Sequence, residues 1–98
     1  MRPPTREDFE ARARSAWGAN WFAALERATG WNRRTLSRMG RPKQPFDAHR
    51  LRALADAVSP DPEGAAVSSW AREQADALDE AGYVPPWRAK TAGETQTN

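Results

Sequence analysis

Apolar side chains recur along this sequence at spacings of three and four residues, in blocks separated by glycine, proline, asparagine and aspartate. This spacing is typical of amphipathic helices, and the separating residues are typical of helix ends and turns. The blocks predict helices over residues 5–17, 21–29, 33–39, 48–58 and 62–81. No stretch alternates between apolar and polar residues for long enough to predict a strand. We therefore expect an all-α fold, a compact bundle of about five helices.

Favoured N-cap residues stand at the start of the predicted helices. They are Thr5, Asn20, Asn32, Asp47 and Asp61. Asp8 follows Thr5 by three residues, which is the spacing of a capping box. The predicted boundaries therefore have a local chemical cause as well as a hydrophobic pattern.

The predicted core is thin, because a chain of 98 residues buries roughly two-thirds or less of its unfolded surface. Wide aromatic rings then carry much of the packing. Trp17, Trp21, Trp31 and Trp70 fall on apolar stripes or helix junctions, which favours core packing over the stacking of bases. Trp87 follows two prolines and either folds back over the core or meets a second subunit.

Length and composition narrow the class of protein. We expect one domain over residues 1–87 and a disordered polar tail over residues 88–98. With no cysteine and with His49 as the only histidine, a metal site would lack ligands, and we expect no cofactor. No apolar run approaches the ~20 residues of a membrane span, and the polar N-terminus does not read as a signal peptide, so we expect a cytoplasmic protein. The sequence contains no nucleophile–base pair and no phosphate loop, so we do not expect an enzyme.

The net charge of +2 hides a strong segregation of charge. Residues 1–32 hold five arginines and four acids, whereas residues 33–52 hold six arginines, one lysine and one aspartate. Residues 53–98 hold three bases and eight acids. This distribution predicts a basic face for a polyanion in the middle of the chain. A solvated helix face is the alternative interpretation.

The second and third predicted helices have the spacing of a helix-turn-helix. Leu25 lies five residues before Gly30, whereas Leu36 and Met39 follow that glycine by six and nine residues. Glycine permits a tight turn of about three residues, and the apolar residues on either side pack the two helices at a steep angle. Trp31 lies at the entry to the third helix. One face of that helix then stays free to enter a groove.

The free face carries side chains that suit the edges of bases. Turning Leu36 and Met39 inward exposes five candidates for base contacts: Asn32, Arg33, Arg34, Ser37 and Arg38. Arginine grips guanine with two hydrogen bonds, and asparagine does the same for adenine. This face therefore predicts readout of double-stranded DNA in the major groove.

Residues 25–39, which read LERATGWNRRTLSRM, resemble the helix-turn-helix of lambda-repressor/Cro-like regulators of phages and bacteria. The resemblance covers roughly residues 20–58. It implies a bundle of about five helices, operator binding as a dimer, and base contacts from the five residues named above. The chain departs from the family where Glu26 replaces a small residue and Thr29 replaces a bulky aliphatic one.

Further basic residues follow the third helix. Arg41, Lys43, Arg50 and Arg52 are candidates for phosphate contacts, which give affinity without sequence choice. Gly40, Arg41 and Pro42 also match the core of an AT-hook, a short arm that lies in the minor groove, although a plain proline-rich loop is the simpler interpretation.

The last predicted helix has an apolar stripe of its own. Val67, Trp70 and Leu78 could cover the bundle or pair with a second copy. We favour a homodimer through this stripe, with Tyr83 and Trp87 of the following segment, because a single module buries little DNA interface.

Together these features predict a sequence-specific transcriptional regulator that binds a pseudo-palindrome as a dimer. It would occlude a promoter or contact RNA polymerase, and no small-molecule effector is indicated. Two alternatives are a DNA-binding subunit of a phage recombination or packaging machine, and a protein-interaction module with the same fold.

Overall fold

A computed structural model describes residues 2–85 and consists of helices and connecting turns. The α-helices are α1 Arg6–Trp17, α2 Trp21–Thr29, α3 Arg33–Arg38, α4 Ala48–Val58 and α5 Ala65–Glu80. Four of them have 9 to 16 residues, and α3 has only 6. Within residues 2–85 there is no β-strand, only an isolated bridge between Arg41 and Gln44. The expected all-α class is confirmed.

Side-chain caps fix several of these boundaries where the sequence predicts them. Thr5 and Asp8 exchange two hydrogen bonds of 3.0 and 3.1 Å, a complete capping box at the start of α1. The Asn32 Oδ1 accepts from the Thr35 amide at 2.8 Å, and Asp47 caps α4 in the same way. Each cap satisfies an amide that has no partner inside its own helix.

One predicted cap and one predicted boundary are wrong, and short 3-10 turns are the reason. Residues Gly18–Asn20 form such a turn, so the chain enters α2 already coiled and Asn20 provides no side-chain cap. Residues Pro62–Gly64 form the other, so α5 begins at Ala65 rather than at Pro62. Asp61 does accept a hydrogen bond, from the amide of Glu63.

Aromatic rings from three helices and one loop meet in the centre of the core. The Phe9 ring lies 6.2 Å from that of Trp21, 5.6 Å from that of Phe46 and 6.4 Å from that of Trp70. Phe9 and Phe46 are fully buried. Trp31 packs against this core from the rim and stays half-buried. Core packing is thus confirmed for Trp21 and Trp70.

Helix α5 covers the bundle, with α4 as its most extensive neighbour and α1 as another. Val67, Trp70 and Leu78 are buried in the core of the single chain. The prediction that this stripe forms a dimer interface is therefore wrong, because an amphipathic stripe reports burial without identifying the partner. Tyr83 is half-buried against the same core, and Trp87 lies outside the described residues, as does the predicted tail over 88–98.

The loop after α3 closes tightly over the core. Gly40 has φ +82°, and a β-carbon there would clash with the Phe46 ring. Its amide donates to the Gln44 carbonyl at 2.9 Å, and the Gln44 amide donates back to Arg41 at 2.8 Å. Residues 40–44 therefore form a compact turn, in keeping with the plain loop rather than an extended arm.

None of the helices within residues 2–85 is both long enough and apolar enough to cross a membrane.

Candidate nucleic-acid interface

The turn between α2 and α3 is built around one glycine and one hydroxyl group. Gly30 takes the left-handed conformation (φ 70°, ψ 7°), and its amide donates to the Glu26 carbonyl at 2.9 Å. The Thr29 hydroxyl donates to the Leu25 carbonyl at 2.8 Å and accepts from the Trp31 amide at 3.1 Å. Thr29, a departure from the resembled family, thus closes the turn with hydrogen bonds instead of apolar packing.

The other departure, Glu26, joins α2 to α3. Its carboxylate lies 3.3 Å from the Arg33 Nε, and the Arg33 guanidinium lies 5.7 Å from the centre of the Phe22 ring. The Arg33 side chain is 78% exposed, so solvent screens the ion pair and its contribution is at most about 1 kcal/mol. These contacts nevertheless turn Arg33 toward α2.

A buried arginine that the sequence analysis missed anchors the end of α3. Arg6, in the first turn of α1, donates from Nη1 to the carbonyls of Leu36 and Met39, the latter at 2.9 Å. Its Nε pairs with Glu10 at 2.8 Å. Leu36 is fully buried and Met39 is 6% exposed, so apolar and polar contacts hold the same end of α3.

A signal for Arg6 was present in the sequence. It precedes Phe9 by three residues and Ala13 by seven, which places a charge on the buried stripe of α1. Its guanidinium lies 5.3 Å from the centre of the Phe9 ring and 5.8 Å from that of Trp21. A charged residue on an apolar stripe is expected to have buried partners, although the pattern does not identify them.

The solvent face of α3 carries most of the predicted base-contacting residues. Asn32, Arg33, Arg34 and Arg38 are exposed, and Ser37 is half-buried. Arg34 and Arg38 lie one helical turn apart, and within residues 2–85 neither side chain makes a hydrogen bond or an ion pair. Within the described part of the chain, both guanidinium groups therefore keep all their donors unused.

Three of the four predicted phosphate-contacting residues lie in or after the loop that follows α3. The Arg41 Nε donates to the Ser37 carbonyl at 2.6 Å, which seats its charge at the C-terminal end of α3. Lys43 is exposed in the same loop. Arg50 is half-buried in the first turn of α4, where its Nη1 donates to the Pro45 carbonyl at 3.1 Å.

The fourth, Arg52, is held by α5. Its Nη2 lies 2.8 Å from Asp76 and 2.6 Å from Asp79, and the hydrogen bonds that it donates to these two carboxylates raise its pKa. Because two acids already balance its charge, we remove Arg52 from the interface. The spacing of α4 could not reveal this, since both partners come from a different helix.

The balance of charge differs between α3 and the rest of the chain. Residues 33–46 contain four arginines, one lysine and no acid. Elsewhere in the described region several arginines pair with carboxylates: Arg6 and Arg14 with Glu10, Arg52 with Asp76 and Asp79, and Arg72 with Asp56. Apart from Arg33, which lies beside Glu26, the basic side chains of α3 and the loop over residues 39–46 have no ion-pair partner within residues 2–85.

A cleft of about 640 Å³ opens beside α3, between its first turn and that of α4. Trp31, Asn32 and Thr35 line one part of it and His49 another. Within residues 2–85 no group of three or more histidine, cysteine, aspartate or glutamate side chains could hold a metal ion.

Compared with known proteins, the chain matches no family model, no curated protein and no solved structure. The resemblance of residues 25–39 to lambda-repressor/Cro-like regulators accordingly stays a prediction.

Proposed function

We propose that this protein is a transcriptional regulator that binds double-stranded DNA by laying α3 in the major groove. In this proposal α2, the turn at Gly30 and α3 act as a helix-turn-helix, with α2 as the supporting helix and α3 as the reading helix. The role is one of binding, and no catalytic step is part of it.

The observation that carries the proposal is the uncompensated charge of two arginines on α3. Arg34 and Arg38 face each other at i and i+4, an arrangement of like charges that weakens a helix by about 0.2–0.5 kcal/mol. Within residues 2–85 no acid pairs with either side chain, whereas Arg6, Arg52 and Arg72 on other helices are paired with acids. A polyanion outside the chain would supply the missing compensation.

Size and anchoring also support this role. An α-helix with its side chains is about 10–12 Å in diameter and the major groove is about 12 Å wide, so the groove can admit α3. Leu36 and the Arg6 hydrogen bonds hold the inward side of α3, which keeps the opposite side at a fixed angle to the bundle.

Phosphate contacts are proposed for the loop that follows. Arg41 and Lys43 lie directly after α3, where they would flank the groove that α3 occupies. Arg50 is a further candidate at the start of α4. Since α5 covers the bundle, two copies on a pseudo-palindrome would meet through a surface other than its buried stripe.

The test is fluorescence anisotropy of the full chain against the DNA upstream of its own gene and against a random duplex, over a series of salt concentrations. We expect a preference of about 10³-fold or more for the upstream fragment. Equal and salt-sensitive binding to both duplexes would indicate non-specific, electrostatic DNA binding. No binding to either duplex at low salt would overturn the proposal in favour of a protein-interaction module.

Two matched variants distinguish the contribution of the α3 face to DNA binding from the contribution of overall positive charge. Arg34→Ala and Arg12→Ala remove the same charge from exposed positions, but Arg12 borders a groove on α1 beside Trp70 and Gln74. We expect Arg34→Ala to weaken specific binding by about 1–3 kcal/mol and Arg12→Ala to leave it unchanged.

A specific site at an attachment or packaging sequence instead of a promoter would identify a recombination or packaging subunit.

A further inference from the structure

The contacts within the chain distinguish two arginines on the reading face of α3 from its other side chains. Asn32 uses its Oδ1 to cap α3, and Arg33 is turned toward Glu26 and Phe22. Ser37 is half-buried, with its carbonyl held by Arg41. Among the arginines of α3, those at positions 34 and 38 are therefore the two with all their donors unused within residues 2–85.

The chemistry of these two groups selects one base. A guanidinium is a planar fork of N–H donors and has no acceptor. In the major groove guanine presents two neighbouring acceptors, N7 and O6, whereas adenine pairs its acceptor with a donor, cytosine presents a donor, and thymine presents one acceptor and a methyl group. Two free forks therefore match two guanines.

The absence of acids strengthens this selection. An amino group of cytosine or adenine is read by a carboxylate or an amide. Residues 33–46 hold no aspartate or glutamate, and Gln44, their only amide, lies in the closed turn after α3. This face can therefore donate hydrogen bonds to acceptors on the bases, but it has few acceptors for the amino groups of cytosine or adenine.

The spacing of the two arginines sets the spacing of the guanines. Four residues of α-helix advance about 6 Å, and neighbouring base pairs are about 3.4 Å apart, so the two side chains span about two base-pair steps. Resting on the proposed function, we propose that each half-site contains two G·C pairs within three base pairs, one guanine read by Arg34 and the other by Arg38. The guanines can lie on either strand, because both strands expose N7 and O6 to the same groove.

The first test is selection of bound duplexes from a randomised library by the full-length protein. We expect the wild-type pool to be enriched in two guanines within three base pairs. Arg34→Ala should lose the enrichment at one of them and Arg38→Ala at the other, whereas the control Arg12→Ala should retain both. These positions are exposed, and circular dichroism verifies that each variant is folded.

The second test probes the acceptor itself. Replacing either selected guanine with 7-deazaguanine removes N7, and we expect wild-type affinity to fall by about fivefold or more. Arg34→Ala should be insensitive to the replacement of the guanine that Arg34 reads in the wild type. Arg38→Ala should likewise be insensitive at the guanine that Arg38 reads. 7-Deazaadenine at an A·T pair of the same site is the control and should have no effect.

The outcomes distinguish this inference from the function on which it rests. A specific motif without guanine, or a motif that both arginine variants share with the wild type, overturns the inference and leaves DNA binding in place. Failure to enrich any duplex, together with no binding to DNA at low salt, overturns both.

Discussion

Replacing Arg6 with methionine would remove the guanidinium that joins α1 to the end of α3 and keep a long apolar stem. Arg6 donates to the Leu36 and Met39 carbonyls, which are 30 and 33 residues away in sequence. Its side chain is only 9% exposed, so in the variant water would not readily take the place of the lost donors.

The size of the effect can be worked from these bonds. A hydrogen bond from a charged group contributes about 1.5–3 kcal/mol, and a buried acceptor that loses its donor costs about 1–3 kcal/mol. Since neighbouring contributions are not additive, we expect Arg6→Met to lower the free energy of unfolding by about 2–4 kcal/mol. For a domain of this length the melting temperature should fall by about 8–30 °C.

Urea unfolding followed by tryptophan fluorescence measures this loss, and Arg14→Met is the matched control. Arg14 approaches the same Glu10, but at 3.7 Å and with a side chain that is 63% exposed. Its replacement should change stability by about 0.5 kcal/mol or less. Equal losses in the two variants would refute the anchoring role of Arg6, because Arg6 donates to the Leu36 and Met39 carbonyls and Arg14 does not.

Substitutions at three further positions test other contacts. Gly40→Ala should lower the free energy of unfolding by about 1–3 kcal/mol in the same urea assay. The positive φ disfavours alanine, and the added carbon meets the Phe46 ring. An unchanged urea midpoint would contradict this prediction. Asn32→Ala should cost about 0.5–2 kcal/mol through loss of the cap, and Asn32→Asp, which keeps the acceptor, should restore most of it. Arg52→Ala should leave DNA affinity and the slope of its salt dependence unchanged, and a slope reduced by about one would restore Arg52 to the interface.

Helix boundaries could be predicted from the sequence wherever a local cap decides them. Asp47 lies directly before α4, and Leu51, Leu54 and Val58 follow at helical spacing, so both the start and the buried face of α4 were predicted correctly. Asn20 failed as a cap because the preceding residues already coil. That coil has no hydrophobic period of its own and is set by how α1 and α2 pack.

Partners that are distant in sequence could not be predicted. The stripe of α5 shows that Val67 and Leu78 are buried, but the same pattern serves a dimer as well as α4 of the same chain. The bonds of Arg6 depend on α1 lying against the end of α3, a geometry that only the tertiary structure defines.

The candidate site was predicted in composition but not in detail. The sequence places arginines at 33, 34, 38 and 52 without showing which of them an acid already holds. Arg33 meets Glu26 across the turn, and Arg52 meets acids of α5. The distinction between held and free cations comes from side-chain geometry, and it is this distinction that defines the proposed reading face.

Because α3 is short, we expect it to open locally more readily than the longer helices of the bundle. Six residues are too few for a helix that is stable in water by itself, so α3 owes its order to Leu36 and to Arg6. Detaching this one turn and a half costs less free energy than unfolding the bundle, and its amide protons should exchange with solvent through local opening, ahead of those in α4 and α5. A duplex bound to the ordered form would slow that exchange, so the element proposed to read DNA is also the one whose protection should rise most on binding.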